Sequence, residues 1–71
     1  MDGIAIGRKL KELRGKRSSA KVAQDLGIST SALYMYESGE RIPRDDVKIR
    51  ISDYYGVPIQ ELFYFAESAH R

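Results

Sequence analysis

The strongest constraint on the fold lies in residues 22–39, which predict two short helices joined by a turn at Gly27. Glycine accepts the positive φ that ends a helix, and Ser29, two residues later, can accept a hydrogen bond from the free N–H groups that open the next helix. Gly39 would end the second helix in the same way. The segment therefore predicts a helix pair with a tight connection.

Apolar side chains in both helices recur at helical spacing. Val22, Ala23 and Leu26 would form the inner side of the first helix, and Leu33 and Tyr36 that of the second. The outward positions of the second helix carry hydroxyl-bearing or methyl-bearing side chains instead of the Glu and Lys of an ordinary solvated helix. These outward residues are Thr30, Ser31, Tyr34 and Met35. They form the candidate binding face.

The length and composition of the chain exclude several classes of protein. With 71 residues, we expect one domain over residues 1–71 with a core too small for an elaborate catalytic pocket. The apolar residues are dispersed too evenly for a membrane-spanning segment. Because the chain has no Cys, neither a disulfide framework nor a thiolate metal site is expected. The N-terminus lacks the apolar stretch of a secretion signal, which predicts a cytoplasmic protein. No cofactor or metal is expected.

Positive charge is concentrated at one end of the chain. Residues 1–21 carry seven Lys and Arg against two acids, whereas residues 22–71 carry five against eight. Such charge can neutralise phosphates on either side of a groove, although a basic run is also common on a plain solvated helix. Two basic groups flank the candidate binding face: Arg8, Lys9, Lys11, Arg14, Lys16, Arg17 and Lys21, then Arg41, Arg44 and Lys48.

The apolar periodicity and the Gly and Pro positions predict an all-α fold with five helices and no strand. Asp45 and Asp46 precede the apolar positions of the fourth helix, where they would offset the helix dipole, so we do not interpret them as a metal site. The predicted helices cover about residues 4–14, 18–26, 30–38, 44–55 and 58–66, with a tail at 67–71.

Three segments together resemble the Xre-like family of helix-turn-helix proteins, the Cro and lambda-repressor type. They are LKELRGKRS, VAQDLGISTSALYMYESGERIPR and YYGVPIQELF. The resemblance covers roughly residues 4–65 and implies a compact five-helix, lambda-repressor-like DNA-binding domain with its helix-turn-helix at helices 2 and 3. It further implies a transcriptional regulator, most often a repressor, that binds a palindromic operator in double-stranded DNA as a homodimer with helix 3 in the major groove.

The resemblance also implies roles for individual residues. Thr30, Ser31, Tyr34 and Met35 would lie near base edges. Phosphate contacts would come from Ser18, Ser19, Lys21, Ser29, Ser38, Arg41 and Arg44. At Ser19 the family commonly has a Gln long enough to touch phosphate and brace helix 3, so we expect that brace to be missing here. Glu37 would pair with Arg14 as a structural ion pair between helices 1 and 3.

Helix 3 lacks the Arg, Lys, Asn and Gln side chains whose bidentate base contacts are worth about 1–3 kcal/mol each. We therefore expect Thr30, Ala32 and Met35 to contact thymine methyl groups. Groove width and DNA bendability would supply much of the remaining discrimination.

Tyr64 and Phe65 near the end of the chain suit either a cap on the small core or a symmetric dimer interface. A second function remains open, a protein-interaction module such as an antitoxin-like or anti-repressor partner, in which DNA contact is secondary or absent. An enzyme is not expected, since the chain lacks Cys, a phosphate-cradling Gly loop and any spaced cluster of metal ligands.

Overall fold

A computed structural model of the chain describes residues 2–65, which form five α-helices and no strand. The predicted all-α fold class is confirmed. The predicted tail at 67–71 lies outside the described residues. None of the five helices is long and apolar enough to cross a membrane. The helices are α1 (Gly3–Arg14), α2 (Ser19–Leu26), α3 (Thr30–Ser38), α4 (Asp45–Tyr55) and α5 (Ile59–Phe63).

The boundaries of α2 and α3 follow from the glycine and serine residues that flank them. Gly27 ends α2 in the left-handed conformation with φ 74°, which a side chain would strain. Ser18 and Ser29 precede α2 and α3, and their hydroxyl oxygens accept hydrogen bonds from the backbone N–H groups of Lys21 and Ala32 at 3.3 and 3.0 Å. These caps satisfy amides that would otherwise lack partners.

The core draws on all five helices. It includes the apolar positions predicted for α2 and α3, which are confirmed as buried. Each helix contributes only two or three of these residues, and all of them pack into one core. This shared core fixes the position of α3 relative to the other four helices. The buried apolar residues are Ile6 and Leu10 of α1, Val22, Ala23 and Leu26 of α2, Leu33 and Tyr36 of α3, Val47 and Ile51 of α4, and Leu62 and Phe63 of α5.

Two glycines of α1 allow its backbone to lie directly against the end of α3. A Cβ atom added at Gly7 would clash with the carbonyl oxygen of Glu37 and lie 2.8 Å from that of Tyr36. One added at Gly3 would lie 2.8 Å from the carbonyl oxygen of Gly39. The two glycines are four residues apart and so share one face of α1. This glycine contact holds the C-terminal half of α3.

The predicted extent of the fifth helix is wrong. It was expected to continue to residue 66, but α5 ends at Phe63. Phe65 extended the apolar pattern, yet Tyr64 already leaves the helical conformation with ψ 22°. Its hydroxyl oxygen accepts a hydrogen bond from Lys48 of α4. The aromatic pair after α5 is therefore held by side-chain contacts rather than by helix.

Candidate nucleic-acid interface

The outward positions of α3 form the candidate interface. Thr30 and Ser31 are exposed, and Tyr34 exposes 65% of its surface. Met35 is half-buried at the edge of this face. Ala32 is also half-buried and packs against the core, so its methyl group lies on the inner margin of the surface. The most accessible side chains are thus two hydroxyls and one phenol.

Three of the four serines expected near phosphates are exposed at the ends of the two helices, namely Ser18, Ser29 and Ser38. Ser18 and Ser29 use their oxygen atoms to cap α2 and α3, which leaves each hydroxyl proton able to donate outward. The hydroxyl of Ser38 donates to the carbonyl oxygen of Met35 at 3.2 Å. Ser19 is half-buried beside α3.

Among the expected phosphate-binding cations, two form no salt bridge in the described part of the chain and one is paired. Arg41 and Arg44 are exposed and form no salt bridge within residues 2–65. Lys21 lies 3.0 Å from Asp25, which also accepts a hydrogen bond from Tyr54 at 2.8 Å. The Tyr54 hydrogen bond, followed by that of Lys21, lowers the pKa of Asp25 and keeps its carboxylate charged.

Two lysines of the basic groups point away from the candidate interface, which corrects the charge analysis. Lys48 is only 6% exposed, and its Nζ atom donates to the hydroxyl of Tyr64 at 3.0 Å. Lys9 donates to the carbonyl oxygen of Glu61 at 3.2 Å, with its Nζ atom 4.2 Å from the ring centroid of Phe65. A long aliphatic stem lets a lysine cover apolar surface, so the sequence position alone misplaced both.

The ion pair expected between α1 and α3 is present. Arg14 donates through Nε to Oε2 of Glu37 at 2.8 Å and through Nη2 to Oε1 at 3.1 Å. The Glu37 side chain is 6% exposed and that of Arg14 18%. The hydrogen bond to Glu37 raises the pKa of the Arg14 guanidinium. This bidentate geometry joins the two helices in a fixed orientation.

Arg50 of α4 supports the turn, and sequence reasoning missed it. Its Nη1 atom donates to the carbonyl oxygen of Leu26 at 2.8 Å, at the C-terminal end of α2. Its Nη2 atom donates to Asp46 at 3.1 Å. The spacing of Asp46 and Arg50 marks a pair on one helix face, but nothing in the sequence points to a distant carbonyl.

An open cleft of about 310 Å³ lies between α1, the start of α2 and α3. It adjoins the candidate interface, because Thr30 and Tyr34 line it. The short side chain at Ser19 leaves this space open. The cleft is lined by Lys11, Arg14, Ser19, Thr30, Tyr34, Glu37 and Ser38.

A family model described as helix-turn-helix matches residues 8–62, most of the chain. The chain belongs to the Xre/Cro-type helix-turn-helix family. The family assigned from the sequence is therefore confirmed, with α2 and α3 as its helix-turn-helix. Membership places this helix-turn-helix protein among non-enzymatic DNA-binding regulators.

One relative is the cryptic phage CTXphi transcriptional repressor RstR of Vibrio cholerae, with 31% identity over 62 residues. The alignment covers 84% of this helix-turn-helix protein but 56% of RstR, so the chain spans about half the length of that relative. No solved structure matches.

Proposed function

We propose that this protein is a sequence-specific transcriptional repressor that binds a palindromic operator as a homodimer, with α3 in the major groove. The observation that carries the proposal is the exposed face of Thr30, Ser31 and Tyr34, which no other described element covers. Exposed Arg41 and Arg44 follow this helix in the chain and suit the DNA backbone. The similarity to RstR, a phage transcriptional repressor, supports repression.

Base recognition in this proposal depends on apolar and hydroxyl contacts. Thr30 and Tyr34 are the most accessible candidates, while Met35 and Ala32 offer methyl groups from the margin of the face. Ser31 supplies a hydroxyl that suits either a base edge or the backbone. Since α3 carries no Arg, Lys, Asn or Gln, DNA shape would carry much of the specificity.

The proposed phosphate contacts surround this face. Exposed hydroxyls at Ser18, Ser29 and Ser38 suit one side of the groove, together with Ser19 and Lys21. To contact a phosphate, Lys21 would have to give up its salt bridge with Asp25. Its net contribution is therefore expected to be smaller than that of Arg41 or Arg44.

The proposed dimer interface uses the aromatic residues after α5. Tyr64 is 45% exposed, whereas Phe65 packs partly against the core. A symmetric contact here would set two copies of α3 about 34–36 Å apart, one turn of duplex. Bound at a promoter, such a dimer would exclude RNA polymerase.

Selection of bound duplexes from a random library tests the proposal. We expect an inverted repeat rich in A·T pairs, with two protomers on each selected duplex. Thr30→Ala and Tyr34→Ala should reduce affinity for that duplex, whereas Gln24→Ala, on the exposed side of α2, serves as the control. Selection of no sequence, or one protomer on an asymmetric site, would contradict the proposal.

A salt titration separates this function from that of a protein-interaction module. Phosphate binding predicts that log affinity falls linearly with log salt concentration, by about 0.9 for each contacted phosphate. A weak, salt-independent association with DNA would instead favour a regulatory protein as the main partner.

A further inference from the structure

The backbone of Arg17, in the connection between α1 and α2, is hydrogen-bonded twice to Arg14. Its N–H group donates to the Arg14 carbonyl oxygen at 3.1 Å, and its own carbonyl oxygen accepts from Nη1 of Arg14 at 2.9 Å. The same guanidinium donates to Glu37 of α3 through Nε and Nη2. The connection is therefore linked through one side chain to both α1 and α3.

The side chain of Arg17 lies over two aromatic rings of α4. Its guanidinium carbon is 5.7 Å from the ring centroid of Tyr54 and 5.6 Å from that of Tyr55. The two rings meet edge to face, and Tyr54 also donates a hydrogen bond to Asp25 of α2. A cation within about 6 Å of a ring centroid is attracted to the ring. Although Arg17 is exposed to solvent, it joins the connection to α4.

Arg17 directly precedes Ser18, the N-cap residue of α2. An apolar side chain at this position often packs against a neighbour and fixes the angle at which the chain enters the helix. Here a charged side chain makes the comparable contact, because two rings of α4 lie beside it. The entry of the chain into α2 is thus held by Arg17.

We propose that Arg17 is a positioning residue for the start of α2 rather than a phosphate contact. The inference rests on the proposed function, which places DNA at this end of α2. When only a fraction of the free molecules holds the binding geometry, the apparent affinity falls by that fraction. The contacts made in the complex stay the same. Loss of Arg17 should therefore lower operator affinity without changing the slope of log affinity against log salt concentration.

The first arm of the test compares two uncharged variants with side chains of similar length, Arg17→Gln and Arg17→Met. The Met sulfur can still contact the rings, whereas the amide of Gln is better solvated by water. We expect Arg17→Gln to lower operator affinity about two- to fivefold, the effect of an exposed cation–ring contact. Arg17→Met should stay within about twofold of the wild type, and both variants should keep the wild-type salt slope.

The second arm follows amide hydrogen exchange by NMR in the free protein, without DNA. The amides of Lys21 and Val22 report on the start of α2, since they donate to the hydroxyl and the carbonyl oxygen of Ser18. Both amides should exchange about two- to fivefold faster in Arg17→Gln, because the entry into α2 opens more often.

Two controls separate this local effect from a general loss of stability. The amide of Leu33 donates to the carbonyl oxygen of Ser29 at the start of α3, and its rate should not change in Arg17→Gln. Lys16→Gln removes the same charge from the neighbouring exposed position. It should leave the exchange of all three amides at the wild-type rate.

Three results would each overturn the inference. They are wild-type exchange of both α2 amides in Arg17→Gln, equal losses of affinity in Arg17→Gln and Arg17→Met, and a salt slope shallower by about 0.9 for each protomer bound, as for a direct phosphate contact. Failure of the proposed function is a separate result. In that case the wild-type protein shows no salt-dependent DNA binding, while the exchange rates still decide whether Arg17 holds the start of α2.

Discussion

The two sides of this small core are joined by different kinds of contact. Where α1 meets α3, backbone lies on backbone at Gly7, and the partly buried Arg14–Glu37 pair joins the helices through two hydrogen bonds. Where α4 meets α5, contact passes through side chains, with Lys48 3.0 Å from the Tyr64 hydroxyl and 5.6 Å from the Phe63 ring centroid. A side-chain contact can change when the side chain adopts another rotamer, whereas a direct contact between two backbones cannot be relieved in this way. The orientation of α3 is therefore fixed more strictly than the end of α5.

The largest effect is expected from Glu37→Ala, which leaves the partly buried Arg14 without its counter-charge. Loss of one partner from a fully buried ion pair costs about 3–5 kcal/mol. Because Arg14 is partly exposed, we expect a loss at or below the lower end of this range, and urea unfolding would measure it. The double variant Arg14→Met with Glu37→Leu should recover most of this loss, since no charge is left unpaired. A loss below about 1 kcal/mol, typical of exposed pairs, would mean that this side is no more rigid than the other.

Gly7→Ala should destabilise the protein by about 1–3 kcal/mol, because the added methyl group meets the backbone of α3. The sign of the change in stability shows whether the methyl group meets α3, since Gly→Ala in an unobstructed helix adds about 1 kcal/mol of stability. Ala20→Gly, at an exposed position of α2, measures the helix-propensity effect alone. Increased thermal stability of Gly7→Ala would show that α1 can move away from α3.

Lys48→Met should change the free energy of unfolding by less than about 1 kcal/mol. Replacement of a buried charge by an apolar side chain of similar size is often neutral or stabilising. Within residues 2–65, the only salt bridge of this ammonium is with the exposed Asp45, at 3.7 Å. Lys48→Ala is the control, because it also removes the aliphatic stem. A large loss of stability in Lys48→Met would mean that the contact between α4 and α5 is as strictly fixed as the contact between α1 and α3.

The smallest effect at neutral pH is expected for Tyr55→Phe. The Tyr55 hydroxyl is buried and makes no hydrogen bond within residues 2–65, so its removal should be neutral or slightly stabilising. Burial, and then the charge of Glu37, raises the pKa of Tyr55 above its ordinary value.

That shift has a consequence in alkali. A raised pKa in the folded state gives stability that is complete below the unfolded pKa of about 10 and is lost as the pH rises through the folded value. Chemical denaturation between about pH 9 and 11 should show a smaller loss in Tyr55→Phe than in the wild type. Equal losses would assign the alkaline sensitivity to other groups.

Local signals in the sequence predicted the helix-turn-helix well. Gly27 and Ser29 each specify a backbone boundary through their own chemistry, and the structure shows both at those boundaries. The Arg14–Glu37 pair was expected from the family resemblance. These features depend on residue type at a fixed position, which a sequence states directly.

Features that depend on a distant backbone were not predictable. Gly7 looks like a poor helix residue until the carbonyl of Glu37 is found beside it. Arg50 was passed over because its acceptor is the Leu26 carbonyl, 24 residues away. Lys48 was misplaced because the direction of a flexible side chain is set by its neighbours. The residues assigned to DNA contact remain predictions, with Thr30, Ser31 and Tyr34 the most accessible.

The hydrogen bond from Arg50 to the Leu26 carbonyl affects more than the turn after α2. It links α4 to the end of α2, while Arg14 and Gly7 link α1 to α3. Movement of α2 against α4 would break the first link, and rotation of α3 against α1 would break the second. Under the proposed function, the domain is therefore expected to dock on DNA as one rigid body. Any mismatch with an imperfect operator would then be absorbed by deformation of the duplex, and flexible base steps in the operator would raise affinity without being touched.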